Sequence, residues 1–342
     1  MPIIRSRTPL RLGLAGGGTD VGPYSDLYGG AVLNATISLY AYATIEPLTT
    51  REVIMQASDK DEVQSNPVSD TYATDGALPL HYGVHNRVFR DYLNKPIPYR
   101  LNTYVDAPPG SGLGSSSTLV VAMLGAYAEW LKLPLGEYDL AQLAYDIERV
   151  DLGFAGGKQD QYAATFGGFN FMEFFADGKV IVNPLRIKQE YINELEHCLV
   201  LYNTQTSRVS SAIIREQSKN VEEKEEKSLD AMHKLKEQAV LMKECLLKGD
   251  INRMGEVLDF GWQHKKQMAH GISNPQLDEM YEAARKAGAT GGKISGAGGG
   301  GFMIFFCPGT TRYKVIETLK AFGGRARRFG FTKSGLTSWT AS

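Results

Sequence analysis

The 342-residue chain has few cysteines: Cys198, Cys245 and Cys307 stand far apart and form no CxxC. That argues against a disulfide framework and a cysteine-rich zinc site, and it fits a reducing compartment. An excess of one charge is also lacking. Lys and Arg number 37 against 38 Asp and Glu, a formal net charge of −1. A general nucleic-acid binder would carry a basic excess for its phosphate contacts. No run approaches the ~20 apolar residues of a membrane span, and Met1 to Arg5 lack the apolar stretch of a signal peptide. No nucleic-acid or membrane partner is therefore expected, and the expected location is cytoplasmic. The composition, 43% hydrophobic and 22% charged, is that of an ordinary globular protein, and the length suits two domains or one large one.

Familiar catalytic motifs are missing as well. GxxxxGK[ST] is absent, since Gly288 to Lys293 is one residue short and no Ser or Thr follows the lysine. GxGxxG is spoiled by Ser115 at the third glycine. Asp259-Phe260-Gly261 imitates a protein-kinase DFG, but no HRD, VAIK or GxGxxGxV accompanies it, so it reads as a chance match within a helix. Of the six histidines, His81 and His85 are spaced i, i+4 without a surrounding HExxH. They read as part of a polar loop or helix face rather than a metal site.

Glycine, by contrast, is abundant: 37 residues, about 11% against a usual ~7%, gathered in four clusters. Pro108-Pro109-Gly110-Ser111-Gly112-Leu113-Gly114-Ser115-Ser116-Ser117-Thr118 lies between a predicted strand (99–107) and a predicted helix. Such a turn brings backbone N–H groups close to a ligand, and the helix start adds positive charge, so it is an anion site or a plain connector. Gly291 to Gly301 leads straight into an apolar strand, Phe302 to Cys307, which favours a close-approach loop over a linker. Gly153 to Gln161 places Lys158 beside Asp160 in a glycine turn. Arg11 precedes Gly16-Gly17-Gly18-Thr19-Asp20, where the aspartate is suited to sugar hydroxyls or to closing an Asx turn.

Around these clusters the sequence predicts a short first strand from Ile3 to Ser6, strands over 31–46, and a loop with short elements over 56–80. Leu119, Met123, Ala126 and Trp130 mark one face of a long helix, and Asp139 is the expected N-cap of the next. A hairpin is expected over 169–186 around Asp177-Gly178, a strand over 198–204 and helix over 215–248. A further helix starts at Asn274-Pro275 and ends at Gly288. Residues 186–198 are the least committed to an element, and a domain boundary is placed there. Without strict βαβ alternation, the class is α+β.

Three of the clusters now combine. Pro9-x-Arg11 with Gly16-Gly17-Gly18-Thr19-Asp20, then Pro109-x-x-Gly112-Leu113-Gly114-Ser115-Ser116-Ser117, then Lys293-x-Ser295-Gly296-Ala297-Gly298-Gly299-Gly300 resemble the three ordered motifs of the GHMP small-molecule kinases. Together they span nearly the whole chain. Ala15 to Val21 with Pro23-Tyr24, and Gly157 to Ala163, are most similar to the branch acting on heptose phosphates. Fucokinases usually carry Trp where Gly18 stands. Galactokinases carry Gly-Glu-His-Thr-Asp over Gly16 to Asp20, so the glutamate of galactose recognition is absent here.

The resemblance implies two α+β lobes. Residues 1–190 would form an N-terminal lobe like the second domain of ribosomal protein S5, and 191–342 a ferredoxin-like lobe, with the active site between them. It implies ATP and Mg²⁺, and a small sugar phosphate as acceptor. Pro109, Gly110, Gly112, Leu113, Gly114, Ser115, Ser116 and Ser117 would cradle the ATP phosphates. Ser116 (with Ser115 as the alternative) and Glu148 would hold Mg²⁺. Asp160 would orient or deprotonate the anomeric hydroxyl, with Arg11 lowering that hydroxyl's pKa or stabilising transferring charge. Gly17, Gly18, Thr19 and Asp20 would bind the sugar, and the loop with Gly296, Gly298 and Gly299 would close over nucleotide and substrate. The sugar's own phosphate needs a cation, for which Arg208, Lys158 and Lys293 are candidates, Arg208 first. The resemblance leaves the oligomeric state open. A fucokinase or other sugar-1-kinase is the nearest rival reading. A non-catalytic sugar sensor sits badly with the presence of Asp160, Glu148 and Ser116, and a dinucleotide oxidoreductase with the broken GxGxxG.

Overall fold

The computed structural model describes residues 2–93, 95–206 and 210–341. Among these, the elements run β1 (Ile3–Ala15), α1 (Tyr24–Tyr28), β2 (Gly30–Pro47), β3 (Glu52–Ala57), β4 (Glu62–Pro67), α2 (Pro79–Tyr92), β5 (Tyr99–Val105), α3 (Ser115–Leu131), α4 (Glu137–Asp146), a π-helical turn (Ile147–Asp151), α5 (Gln159–Phe166), β6 (Phe169–Phe174), β7 (Val180–Pro184), α6 (Gln189–Cys198), β8 (Leu199–Asn203), α7 (Ser210–Glu222), α8 (Glu226–Lys248), α9 (Arg253–Lys265), α10 (Pro275–Ala287), β9 (Gly291–Ile294), β10 (Phe302–Phe306), α11 (Arg312–Leu319), β11 (Arg325–Arg327) and β12 (Thr337–Ala341). Strands β1 to β7 and β12 build one sheet, ordered β12-β1-β2-β5-β3-β4 with β6 and β7 branching from β2. Strands β8 to β11 build a second, antiparallel sheet ordered β11-β8-β10-β9. The architecture is α+β.

The first strand is longer than its sequence suggests, running on to Ala15 through Pro9 and Gly13. Pro9 lies beyond the end of β12, which pairs only with Ile3 to Arg7. It also sits at a register shift against β2. Those are the places where a sheet tolerates a missing N–H. Past β12 the free edge of β1 takes a different partner: the Arg11 N–H donates to the Leu113 carbonyl at 3.1 Å. The first motif and the phosphate turn are therefore joined through backbone.

Helix α3 buries every residue from Ser117 to Tyr127 rather than the single expected face, because it packs on β1 and β2 and is flanked by α2, α4, α5 and β12. A helix apolar all round belongs in the interior. The second core joins β8 to β10 with α10 and α11, through Met303, Phe305, Met280, Ala284, Val315 and Leu319.

Several boundaries differ from expectation. The loop over 56–80 contains the end of β3, its hairpin partner β4 and the start of α2. His81 and His85 sit on α2, buried, and burial pushes both imidazoles down to about 4. Asp139 is not the N-cap of α4; Gly136 is, and the Asp139 carboxylate at N3 accepts the Gly136 N–H at 2.9 Å, the reciprocal half of a capping box. Residues 189–198 are helical, anchored by Leu195 and Cys198. The charged segment 215–248 is two helices, broken where Glu225 accepts the Ser228 N–H to start α8. The hairpin over 169–186 and the helix from Asn274 to Gly288 stand as read, with the Asn274 side chain accepting from the Leu277 N–H. The three cysteines are buried and unpaired. Among the described residues no helix is long and apolar enough to cross a membrane.

Candidate active site

A cavity of about 690 Å³ lies where the three glycine-rich motifs meet. One end is apolar, with Leu78, Leu80, Val105, Ala107 and Pro109. The other carries Gly17, Gly18, Asp20, Phe154, Gly157 and Gln217. Between the ends stand the phosphate turn, Arg11 and Asp160.

Arg11 is 4% exposed. Its Nε and Nη2 both donate to Asp160 Oδ1, each at 2.7 Å, and Nη1 donates to the Gly112 carbonyl at 2.6 Å. Asp160 does not sit in a loop: the segment read as a glycine turn becomes helix at Gln159, and Asp160 occupies the first turn of α5. There the helix dipole favours a carboxylate. With Oδ1 committed to Arg11, Oδ2 faces the phosphate turn, where a Cβ on Gly114 would lie 3.2 Å from it. The side chain is 24% exposed, and this oxygen is open to accept from a substrate hydroxyl.

The phosphate turn precedes α3, whose N-cap is Gly114 in the left-handed region. N–H groups at such a start are without helical partners and favour an anion. Ser295 Oγ donates to the Gly112 carbonyl at 2.8 Å, and a Cβ on Gly112 would meet the Ser295 carbonyl at 2.3 Å. The third motif thus lies directly against the second.

Glu148 is fully buried on the π-helical turn. Its Oε1 accepts from Ser116 Oγ at 2.8 Å and its Oε2 from Gln161 Nε2 at 2.6 Å. Ser116 and Glu148 therefore present two hard oxygen donors side by side at the cavity wall. No group of three or more His, Cys, Asp and Glu suited to a metal exists among the described residues. Two protein oxygens match an ion that completes its shell with phosphate oxygens and water, as Mg²⁺ does.

Asp20 is buried, and loss of water raises its pKa above the usual carboxylate value. Its Oδ1 accepts the Gly18 N–H at 3.1 Å and its Oδ2 the Gln159 N–H at 3.0 Å. It ties the sugar motif to the start of α5. Gly157 makes this approach possible, since a Cβ there would lie 2.0 Å from Asp20 Oδ2.

Some expected residues stand elsewhere. Thr19 does not line the cavity; its hydroxyl donates to the Gly16 and Ala31 carbonyls and holds the turn. The Leu113 side chain lies in the core, while its carbonyl accepts from Arg11 N–H and its N–H donates to Ser111 Oγ. Lys158 points away, its Nζ 3.4 Å from the Gly178 carbonyl and 5.5 Å over the Tyr145 ring. Gly298 and Gly299 pack on Ile272, leaving Gly296 as the glycine of that loop at the cavity. Lys293 does reach the wall, where its Nζ donates to the Gly13 carbonyl at 2.9 Å. Burial, with Lys265 and Arg11 nearby, pulls its pKa well down. Arg208 lies outside the described residues.

Two features escaped the sequence reading. Lys265, at the end of α9, is 4% exposed and lines the cavity. Burial lowers its pKa to about 8, with Asp20 opposing the shift. Its signal was present, because Leu258, Gly261, Trp262 and Lys265 fall on one helical face and the lysine is the charged member of an apolar stripe. Arg149 and Arg215, also on the wall, belong to no motif.

An arginine-anchored carboxylate, a glycine turn at a helix start and a serine hydroxyl bonded to a buried glutamate form a site for phosphoryl transfer, which depends on positioning and electrostatics. The chain belongs to the GHMP kinases and is an ATP-dependent phosphotransferase: residues 79–168 match the GHMP kinases N terminal domain and 242–325 the GHMP kinases C terminal domain. Over 339 residues, 99% of both chains, it is 48% identical to the D-glycero-alpha-D-manno-heptose 7-phosphate kinase of Campylobacter jejuni. Its fold is similar to a crystal structure of a D-glycero-D-manno-heptose 1-phosphate kinase from Bacteroides thetaiotaomicron, with a TM-score of 0.84 and 44% identity over 99% of both chains. The Lactococcus lactis galactokinase complexed with galactose shares the fold alone, at 21% identity and a TM-score of 0.75, over 98% of this chain and 95% of the galactokinase.

Proposed function

We propose that the protein transfers the γ-phosphoryl group of ATP to the anomeric hydroxyl of D-glycero-D-manno-heptose 7-phosphate, giving the 1,7-bisphosphate, a precursor for nucleotide-activated heptose. The observation that carries the chemistry is the Arg11–Asp160 pair beside the phosphate turn. The name of the Campylobacter jejuni relative supports the sugar.

Asp160 Oδ2 accepts the hydrogen bond of the anomeric hydroxyl and aims its oxygen at the γ-phosphorus. Arg11 fixes the carboxylate in that orientation, and its charge favours the developing negative charge of transfer. The N–H groups at the start of α3 hold the phosphate oxygens, and the apolar end of the cavity takes the adenine. Asp20 accepts sugar hydroxyls, with Gly17 and Gly18 leaving room for the ring. Ser116 and Glu148 are the residues to hold Mg²⁺, which when bound neutralises phosphate charge. Cytoplasmic ATP and unpaired cysteines fit the same compartment. The sheet change between β7 and β8 supports a lobe boundary near residue 190, with β12 returning to the first lobe.

A coupled ADP-release assay with Mg-ATP tests this against heptose 7-phosphate, mannose, fucose, galactose and sedoheptulose 7-phosphate. Turnover confined to heptose 7-phosphate is expected. Preference for an unphosphorylated sugar would leave the kinase and overturn the substrate, and nucleotide binding without any turnover would point to a sensor.

A further inference from the structure

A second cavity, of about 390 Å³, adjoins the sugar end of the first and shares Val21, Arg149, Phe154, Gly156 and Arg215 with it. We propose that this side cavity is the subsite for the phosphate group the sugar already carries, and that Arg149 and Arg215 are its ligands. The inference rests on the sugar-phosphate substrate proposed above.

Charge is the first argument. The chain as a whole is nearly neutral, but the wall of this cavity has Arg149, Arg215 and Lys219 against Glu222 alone. Lys219 is partly neutralised by Glu223 at 3.7 Å. Arg215 projects from α7 with no carboxylate within 4.0 Å among the described residues. A fork of donors without a carboxylate, at the wall of a cavity, is suited to a bidentate anion.

Arg149 supplies the second argument. Its side chain is 14% exposed and its nearest polar neighbours are distant, with Nη1 3.7 Å from Glu148 Oε1 and 3.5 Å from the Phe154 carbonyl. Nε is buried without a partner among the described residues. A guanidinium has five N–H donors to satisfy, and this one is held at a cavity wall with most of its capacity unused. Gly156 makes its position possible: a Cβ there would lie 2.4 Å from Nη2, so the guanidinium rests against bare backbone.

Position is the third. Gly156 touches Arg149, Gly157 touches Asp20, and Gln159 N–H bonds Asp20 one residue before Asp160. The four steps along the chain from Gly156 to Asp160 span at most about 14 Å even if extended. A sugar with its C1 hydroxyl at Asp160 and its ring over Asp20 thus runs toward the two arginines. Lys158 and Lys293, expected for this role from sequence, are engaged by the Gly178 and Gly13 carbonyls.

The test compares kcat/KM for D-glycero-D-manno-heptose 7-phosphate with that for the same heptose lacking the phosphate, in wild type, Arg215→Ala, Arg215→Lys and Arg149→Lys. The side chain of Arg215 is exposed on α7, so its replacement does not threaten folding. The expected result is a 10- to 100-fold rise in KM for the sugar phosphate in Arg215→Ala, partial recovery in Arg215→Lys, and KM for ATP within about twofold. The preference for the phosphorylated sugar should collapse by the same factor, and Arg149→Lys should lower it too. A wild type that prefers the phosphorylated sugar, with variants that keep that preference within twofold, overturns the subsite and leaves the substrate standing. A wild type indifferent to the phosphate overturns both.

Discussion

Asp160→Asn separates the two roles that meet at that residue. The substitution keeps the volume and removes the charge. Arg11 closes on one oxygen of Asp160 through two nitrogens at 2.7 Å, and an amide oxygen there still accepts, without the carboxylate's charge. Breaking a buried pair costs about 3–5 kcal/mol when the remaining charge is stranded. A hydrogen bond to a charged group is worth about 1.5–3 kcal/mol. Arg11 is not stranded, because Nη1 keeps the Gly112 carbonyl at 2.6 Å and the lost carboxylate faces the cavity. The smaller figure therefore applies, well inside the ~5–15 kcal/mol of a native protein, and the variant should fold with a lower urea midpoint. Its kcat should fall about 10²- to 10⁴-fold, the worth of a positioned acid–base group, with KM for ATP nearly unchanged. ADP release at saturating substrates measures the first and urea unfolding followed by circular dichroism the second. Arg11→Gln in the Asp160→Asn background should add little further loss, since residues acting as a unit are non-additive. If Asp160→Asn is destabilised but keeps kcat within threefold of wild type, Asp160 merely holds Arg11, and the reasoning fails.

Other outcomes follow from the same geometry. Gly112→Ala forces a positive φ on alanine, costing roughly 1–2 kcal/mol, and drives a Cβ to 2.3 Å from the Ser295 carbonyl. KM for ATP should rise at least tenfold as the two motifs separate, which initial rates against ATP will show. Glu148→Gln keeps the hydrogen bond from Ser116 and loses the charge, so the Mg²⁺ concentration for half-maximal rate should rise about tenfold or more with KM for the sugar little changed. Lys265, held near 8 by burial, carries its proton less tightly folded than unfolded. Between pH 8 and 10 the unfolded chain binds more protons, so stability from this group rises with pH. Wild type should gain stability relative to Lys265→Met over that window in urea titrations, and parallel pH curves would refute the shift.

The glycine turns were legible because glycine is conspicuous, and α10 because Asn274, Pro275 and Gly288 are strong local punctuation. The same locality explains the misses. Pro9 and Gly13 argue against a strand by propensity, and only the ending of β12 and the register shifts against β2 make them tolerable. Strand β4 buries none of its residues and alternates only half-buried with exposed positions, so it shows no hydrophobic period to read. Asp160 was visible as a residue but not as part of a helix, because glycines over 153–157 mask the start of α5. Lys158 and Asp160 lie two residues apart yet face different surroundings, a direction that the helical turn sets and spacing alone does not. Arg149 and Arg215 were invisible because their meeting at one cavity is a product of tertiary structure.

The pairing of Ile3 with Ala341 and Arg7 with Thr337 has a consequence for synthesis. For more than three hundred residues of elongation, the first strand has no neighbour on that side. It emerges as an open edge, the feature that templates aggregation, and it belongs to the strand that carries Arg11. A contact of such sequence separation closes late. A nascent chain halted before residue 337 would hold every motif of the site and still leave that edge exposed to other chains.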